Sequence, residues 1–286
     1  MKGIILAGGM GTRLRPITKT CSKQLLPIYD KPMIFYPLSI LLNSGINEIC
    51  IVSTPKDLPE FKKLLGDGKK FGIDLTYFKQ LKPVGIADVF NVTRKFIKGS
   101  SVTLILGDNI FFNFDKDQLK CGDVDGARVF CKEVSNPQRY GVVEFGQNKM
   151  INKIVEKPSN PPSNYAVTGL YQYDKNVIDY VGQLKPSKRG ELEITDLNNL
   201  YIKENKLHSV MLQKATDWFD TGTFFSLFEA SKYVHQYQMK NKKPIGSPEV
   251  AAIESGLVKK HEMLKILSKE NNQYSEFIYQ NYKNNC

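Results

Sequence analysis

The residues of this chain best suited to chemistry begin with Gly8-Gly9-Met10-Gly11-Thr12-Arg13. Three glycines in four positions let a backbone turn tightly and approach a ligand without a Cβ in the way. They follow the apolar run Ile4-Ile5-Leu6-Ala7, the pattern of a buried parallel strand. Free N–H groups at the mouth of a strand seat phosphates, and Arg13 adds a planar cation beside them. The same glycines also suit an ordinary strand-to-helix turn. Two familiar phosphate motifs are excluded. Gly11-Thr12-Arg13 lacks the Gly-Lys-Ser/Thr of a Walker A loop, and Leu14 stands where a dinucleotide motif begun at Gly9 needs its third glycine.

Further candidates lie downstream. Lys23 falls in a stretch bounded by Pro16 and Pro27, which reads as an ordered loop close to the glycines. Asp108 belongs to Gly107-Asp108-Asn109, which directly follows the apolar run VTLIL. Ligands of parallel sheets gather at the C-terminal ends of strands, and a carboxylate there can hold a divalent metal over phosphates, although Asp and Asn also favour plain turns. Asp220, in Asp220-Thr221-Gly222-Thr223 after Trp218-Phe219, is a second carboxylate of the same kind. The three histidines, His208, His235 and His261, stand apart without an HExxH pattern, and no G-x-S-x-G elbow is present.

The elements that must position these residues follow from periodicity. The sequence predicts a helix over 33–44 ended by Gly45, a strand over 48–54 and a helix over 58–65. An extended stretch over 75–78, a helix over 87–97 and a strand over 102–106 come next. This alternation implies an α/β fold with a mostly parallel central sheet flanked by helices. From 115 to 154 the pattern turns strand-rich, with strands over 127–131, 142–145 and 151–155, then 166–173. A helix over 193–205, a strand at 210–212, a long helix over 224–240, a linker over 240–248 and a helical tail over 249–286 complete the chain.

Composition narrows the class. With 286 residues, 41% of them hydrophobic, the chain can bury a large core as one domain, or one domain with an appendage. A net charge of +11 favours anionic partners, but the lysines are scattered and no nucleic-acid signature accompanies them. Cys21, Cys50, Cys121, Cys131 and Cys286 show no CxxC spacing, which argues against a zinc site and for a reducing compartment. The N-terminal apolar run is too short for a signal core, and no segment has membrane-spanning length, so a cytoplasmic protein is expected.

Taken in order, LAGGMGTRL, SKQLLP, PMIFYPLSILL, GDNIFF, YGVVEF, EKP, NYAVTGLY, GELEITD and WFDTGT resemble the glucose-1-phosphate thymidylyltransferases, from residue 1 to about 231. The resemblance implies a Rossmann-like nucleotidyltransferase fold. It divides the chain into a catalytic domain over 1–240, with a nucleotide half to about 110 and a sugar half beyond, and a helical appendage over 241–286. It implies direct, Mg²⁺-dependent joining of dTTP and glucose 1-phosphate, with loss of pyrophosphate, in a homotetramer. Leu6, Gly8, Gly9, Gly11 and Thr12 then match nucleotide-binding positions. Arg13 matches the arginine that steadies the leaving pyrophosphate, and Lys23 the lysine at the α-phosphate. Asp108 and Asp220 match the Mg²⁺ ligands. Lys157 matches the lysine that takes the sugar phosphate, with Tyr140, Gly141, Glu156 and Val167 in the sugar pocket. Gln24, Gln80 and Gly85 match nucleoside contacts.

The chain departs from the family pattern in places. Where P-D-G-L-A-Q-A-F is usual, it reads Pro83-Val84-Gly85-Ile86-Ala87-Asp88-Val89-Phe90, and the histidine usual after DTGT is Phe224. These changes bear on base and sugar selectivity, so UTP or another sugar 1-phosphate remains an alternative. A non-catalytic nucleotide-sugar regulator is a third reading, which the retention of every transfer residue disfavours.

Overall fold

The computed structural model describes residues 1–9, 11–119, 122–146 and 150–283; Met10, Cys121 and Cys286 fall outside them. The chain begins with strand β1 (Lys2–Leu6), and a small hairpin of β2 (Pro27–Ile28) and β3 (Lys31–Pro32) leads into helix α1 (Phe35–Asn43). Then come β4 (Glu48–Ser53), α2 (Leu58–Leu65), β5 (Asp74–Lys79), α3 (Val89–Val92), α4 (Arg94–Ile97), β6 (Val102–Leu106) and β7 (Ile110–Phe112). Next in order are β8 (Ala127–Glu133), β9 (Gly141–Phe145), β10 (Ile151–Glu156), β11 (Tyr165–Tyr173), α5 (Val177–Val181), α6 (Ile194–Lys203), β12 (Leu207–Met211) and β13 (Asp217–Phe219). Helices α7 (Phe224–Asn241), α8 (Pro248–Glu254), α9 (Lys260–Leu267) and α10 (Gln273–Lys283) follow.

The main sheet runs β10-β9-β11-β6-β1-β4-β5, with β8 pairing β11 and β12 beside it. The parallel order expected from strand–helix alternation holds across β6-β1-β4-β5. Beyond β6 the ladders are antiparallel through β11, β9 and β10, and only β8 with β12 is parallel. One continuous sheet therefore changes character at β6, where the strand-rich segment joins it.

Alternation along the strands builds a core on each face. Ile5, Ile49 and Ile51 pack with α1 and the C-terminal helices, whereas Ile4, Leu6, Cys50 and Val52 pack with α3 to α6. Residues Val250, Ala251, Met263, Leu267 and Ile278 of the helical tail enter the first of these cores. The helix expected over 87–97 is two short helices broken at Thr93, which is fully buried and whose hydroxyl donates back to the Val89 carbonyl at 2.7 Å. A β-branched residue bonding back along the chain interrupts a helix in this way. Among the described residues no helix is long and apolar enough to cross a membrane.

Candidate functional site

A cleft of about 390 Å³ opens at the C-terminal ends of β1 and β6 and extends over β9, β10 and β11. Adjacent parallel pairing places Leu6 level with Leu106, so the glycine loop and Asp108 emerge side by side. The Gly107 N–H donates to the Leu6 carbonyl at 2.9 Å and ties the two loops together.

Gly8, Gly9, Gly11, Thr12 and Arg13 form one wall. Gly9 and Gly11 adopt φ of 99° and 56°, a backbone that glycine takes without strain. The N–H groups of Gly8, Gly9 and Gly11 meet no acceptor among the described residues. Thr18 holds the loop by donating to the Gly11 carbonyl at 2.6 Å. A turn of this kind is a seat for anionic oxygens.

Lys23 is buried, and its Nζ lies 2.8 Å from Asp108 Oδ2 and 3.4 Å from the Asp220 carbonyl. Asp220 in turn accepts from Arg139 at 2.7 Å and from the Tyr140 hydroxyl at 3.1 Å. The short ladder of β7 with β13 brings these distant residues together. Its antiparallel register sets Phe219 opposite Ile110, so the chain beyond each strand continues past Asp108 and Asp220. Thr221 fastens the crossing, with its buried hydroxyl donating to the Asp108 carbonyl at 2.6 Å. Its φ of 36° is unusual for a β-branched residue, and strain of this kind concentrates at functional sites.

The far end of the cleft is lined from β9, β10 and β11. Glu156 accepts from Thr195 Oγ1 at 2.6 Å and pairs with Lys157 at 3.1 Å and Arg189 at 3.4 Å. Lys157 has a φ of 43°, and its N–H is held by the Tyr140 carbonyl at 2.9 Å. Gly141 and Val167 line this end. Burial, and then the charge of Asp220, push the Tyr140 hydroxyl up to about 12, so it remains a donor at neutral pH.

Most residues singled out from the sequence converge here: Gly8, Gly9, Gly11, Thr12, Arg13, Lys23, Gln24, Asp108, Tyr140, Gly141, Glu156, Lys157, Val167 and Asp220 all line the cleft. Leu6, Gln80 and Gly85 are not among the lining residues but adjoin them. Leu6 packs in the core, Gln80 is buried beside Gly8, and a Cβ on Gly85 would lie 2.3 Å from the Leu192 carbonyl oxygen. Sequence reasoning passed over Asn109, Arg139, Arg189, Thr195 and Trp218, which also line the cleft. Each lies inside or beside a chemically suggestive block, and chain neighbourhood was the one signal available for them.

The family model described as nucleotidyl transferase matches residues 2–237. The chain belongs to the nucleotidyl transferase family. It is 47% identical over 284 residues to a glucose-1-phosphate thymidylyltransferase of Neisseria meningitidis, covering 97% of this chain and 98% of that protein. It is 44% identical to one from Mycobacterium tuberculosis, covering 93% of each. A Bacillus anthracis protein described as a glucose-1-phosphate thymidylyltransferase, solved with sucrose, superposes with a TM-score of 0.74 at 41% identity, covering 82% of this chain and 94% of that one. A UDP-glucose pyrophosphorylase solved with UDP-glucose shares the fold, with a TM-score of 0.71 at 24% identity over 82% of this chain and 98% of that one. The enzyme is thus a nucleotidyltransferase.

Proposed function

We propose that the enzyme joins dTTP to α-D-glucose 1-phosphate, giving dTDP-glucose and pyrophosphate. The observation that carries this reading is the single cleft with two chemically different ends: free backbone N–H groups and Arg13 at one, Glu156, Lys157 and Thr195 at the other, with Lys23 between them. The first end suits a triphosphate and the second a phosphorylated polyol.

In this reading an oxygen of the sugar phosphate attacks the α-phosphorus of dTTP. The new O–P bond forms as the bond to the bridging oxygen breaks, and the electron pair leaves with pyrophosphate. Such transfers depend on positioning and charge neutralisation. Gly8, Gly9 and Gly11 hold the triphosphate, with Thr12 in the same turn. Arg13 steadies the departing pyrophosphate, and Lys23 offsets charge at the α-phosphate. Lys157 takes the sugar phosphate, Glu156 accepts sugar hydroxyls, and Tyr140, Gly141 and Val167 shape the pocket. Gln24, Gln80 and Gly85 serve the nucleoside.

Asp108 and Asp220 fit a Mg²⁺ ion, since both offer hard oxygens in the cleft and this ion is typically held by one or two carboxylates plus substrate phosphates. Bound there, it would neutralise phosphate charge. The same reading gives a cytoplasmic homotetramer whose product feeds deoxysugar synthesis.

The test is pyrophosphate release with dTTP and glucose 1-phosphate together and each alone, with and without Mg²⁺. Release that needs both substrates supports the reading. A strong preference for another nucleotide or sugar phosphate displaces it.

A further inference from the structure

Gln80 follows β5 directly, at the same sheet edge as the glycine loop, and its N–H is held by the Ser53 carbonyl at 2.8 Å. Its side chain is buried and directed at the loop, since a Cβ on Gly8 would lie 3.0 Å from its Oε1. The other end of the amide is committed: Nε2 donates to Asp88 Oδ2 at 3.2 Å. Asn91 donates to the second oxygen of Asp88 at 3.3 Å. An ionised carboxylate only accepts, so turning the Gln80 amide over would set its oxygen against Asp88. Among the described residues no donor reaches Gln80 Oε1.

The order of strands places this acceptor relative to a nucleotide. Asp108 stands just past the end of β6 with the Lys23 ammonium bonded to it, and Tyr140, Glu156 and Lys157 lie on the strands beyond β6, so a nucleotide on the glycine loop has β4 and β5 left for its base. We infer that Asp88 is a specificity-determining positioning residue: it holds the Gln80 amide so that Oε1 faces the nucleobase, favouring pyrimidines with an N3–H over cytosine. This rests on the proposed seating of the triphosphate at the glycine loop. Thymine and uracil donate from N3, whereas cytosine presents a lone pair there. An amide in the family pattern at this position can donate as well as accept, so it fixes its neighbour less firmly than the carboxylate of Asp88.

The test is calorimetric binding of dTTP, dUTP and dCTP to the full chain without sugar phosphate. The wild type should prefer dTTP and dUTP to dCTP. In Asp88→Asn and Asp88→Ala the dTTP-to-dCTP affinity ratio should fall about tenfold, and in Gln80→Met it should approach parity. Removing the charge of Asp88 shifts all triphosphates alike, so the ratio isolates the base. A purely structural role predicts a lower melting temperature with the ratio preserved, and that result overturns the inference. A wild type that does not favour N3–H bases overturns it as well. The two readings fail separately. A narrowed ratio with no pyrophosphate release sinks only the proposed reaction, whereas normal transfer with an intact ratio in the Asp88 variants sinks only the role of Asp88.

Discussion

Asn109 fixes the orientation of its neighbour Asp108, donating from Nδ2 to Asp108 Oδ1 at 2.9 Å. The amide is itself locked, because its Oδ1 accepts from Trp218 Nε1 at 2.7 Å and from the Gly169 N–H at 3.0 Å. The Asp108 carboxylate, which meets a metal or a phosphate in the proposed reaction, is therefore aimed by a buried amide with three hydrogen bonds. Replacing Asn109 with Ala should cost about 1–3 kcal/mol of stability by leaving the Gly169 N–H and the Trp218 indole without a buried partner. Transfer should slow about ten- to a hundredfold, the loss expected when a reacting group is misplaced by about an ångström. Gly169→Ala tests the same lock from the other side, since its Cβ would fall 2.6 Å from the Asn109 side chain. Steady-state kinetics with thermal melts check both variants, and wild-type turnover in Gly169→Ala would remove Asn109 from this role.

Lys23 and Asp108 answer different questions. Lys23→Ala should lower the rate of the transfer step by about a hundred- to a thousandfold, as for other groups that stabilise developing charge. Glucose 1-phosphate binding should change far less. Asp108→Asn should abolish Mg²⁺-dependent pyrophosphate release with the fold intact, as read by circular dichroism. Single-turnover kinetics beside sugar-phosphate titrations separate the two effects, and unchanged turnover in Asp108→Asn would overturn the metal assignment.

Thr221 tests whether its strained turn matters for the hydroxyl it delivers. Thr221→Ser keeps the donor to the Asp108 carbonyl and should retain activity. Thr221→Val keeps the shape but loses that bond, costing about 1–3 kcal/mol. Denaturant unfolding of the pair, with equal stability for both variants as the contrary result, decides it.

Tyr140 gives an alkaline signature. An unfolded tyrosine ionises near about 10, whereas burial and the Asp220 charge raise this hydroxyl to about 12 in the fold. The folded state thus holds the proton more tightly. The resulting stabilisation is complete below about pH 10 and is lost as the pH rises towards about 12. The deficit of Tyr140→Phe relative to the wild type should shrink between pH 10 and the upper end of the measurable range. A deficit that stays constant there would count against the bond to Asp220.

Local chemistry was legible where it was contiguous. The run Ile4–Ala7 had to be a buried strand, because nothing polar interrupts it, and Gly8 to Arg13 had to break it. Strand–helix alternation to residue 106 carried the parallel half of the sheet, and a carboxylate two residues past VTLIL was expected at that edge. The antiparallel half was less legible: strands could be found there, but partners and directions depend on contacts remote in sequence. The break at Thr93 is of the same kind, since Thr93 fits a helix until its side chain is buried and turned back on Val89.

The sequence by itself determined the alternating fold, the glycine-rich loop after the first strand and the candidate charges, because periodicity, glycine placement and residue type act over a few neighbours. Only the tertiary structure decided which charges meet. The ladder of β7 with β13 sets Asp220 beside Lys23, and the parallel pairing of β5 with β4 carries Gln80 to the sheet edge where its side chain meets Gly8. Asn109 gains its role solely because Trp218 and Gly169 arrive from other strands. Hydrogen bonds of this kind join residues far apart in the chain, and their geometry is fixed by the register and packing of the whole sheet.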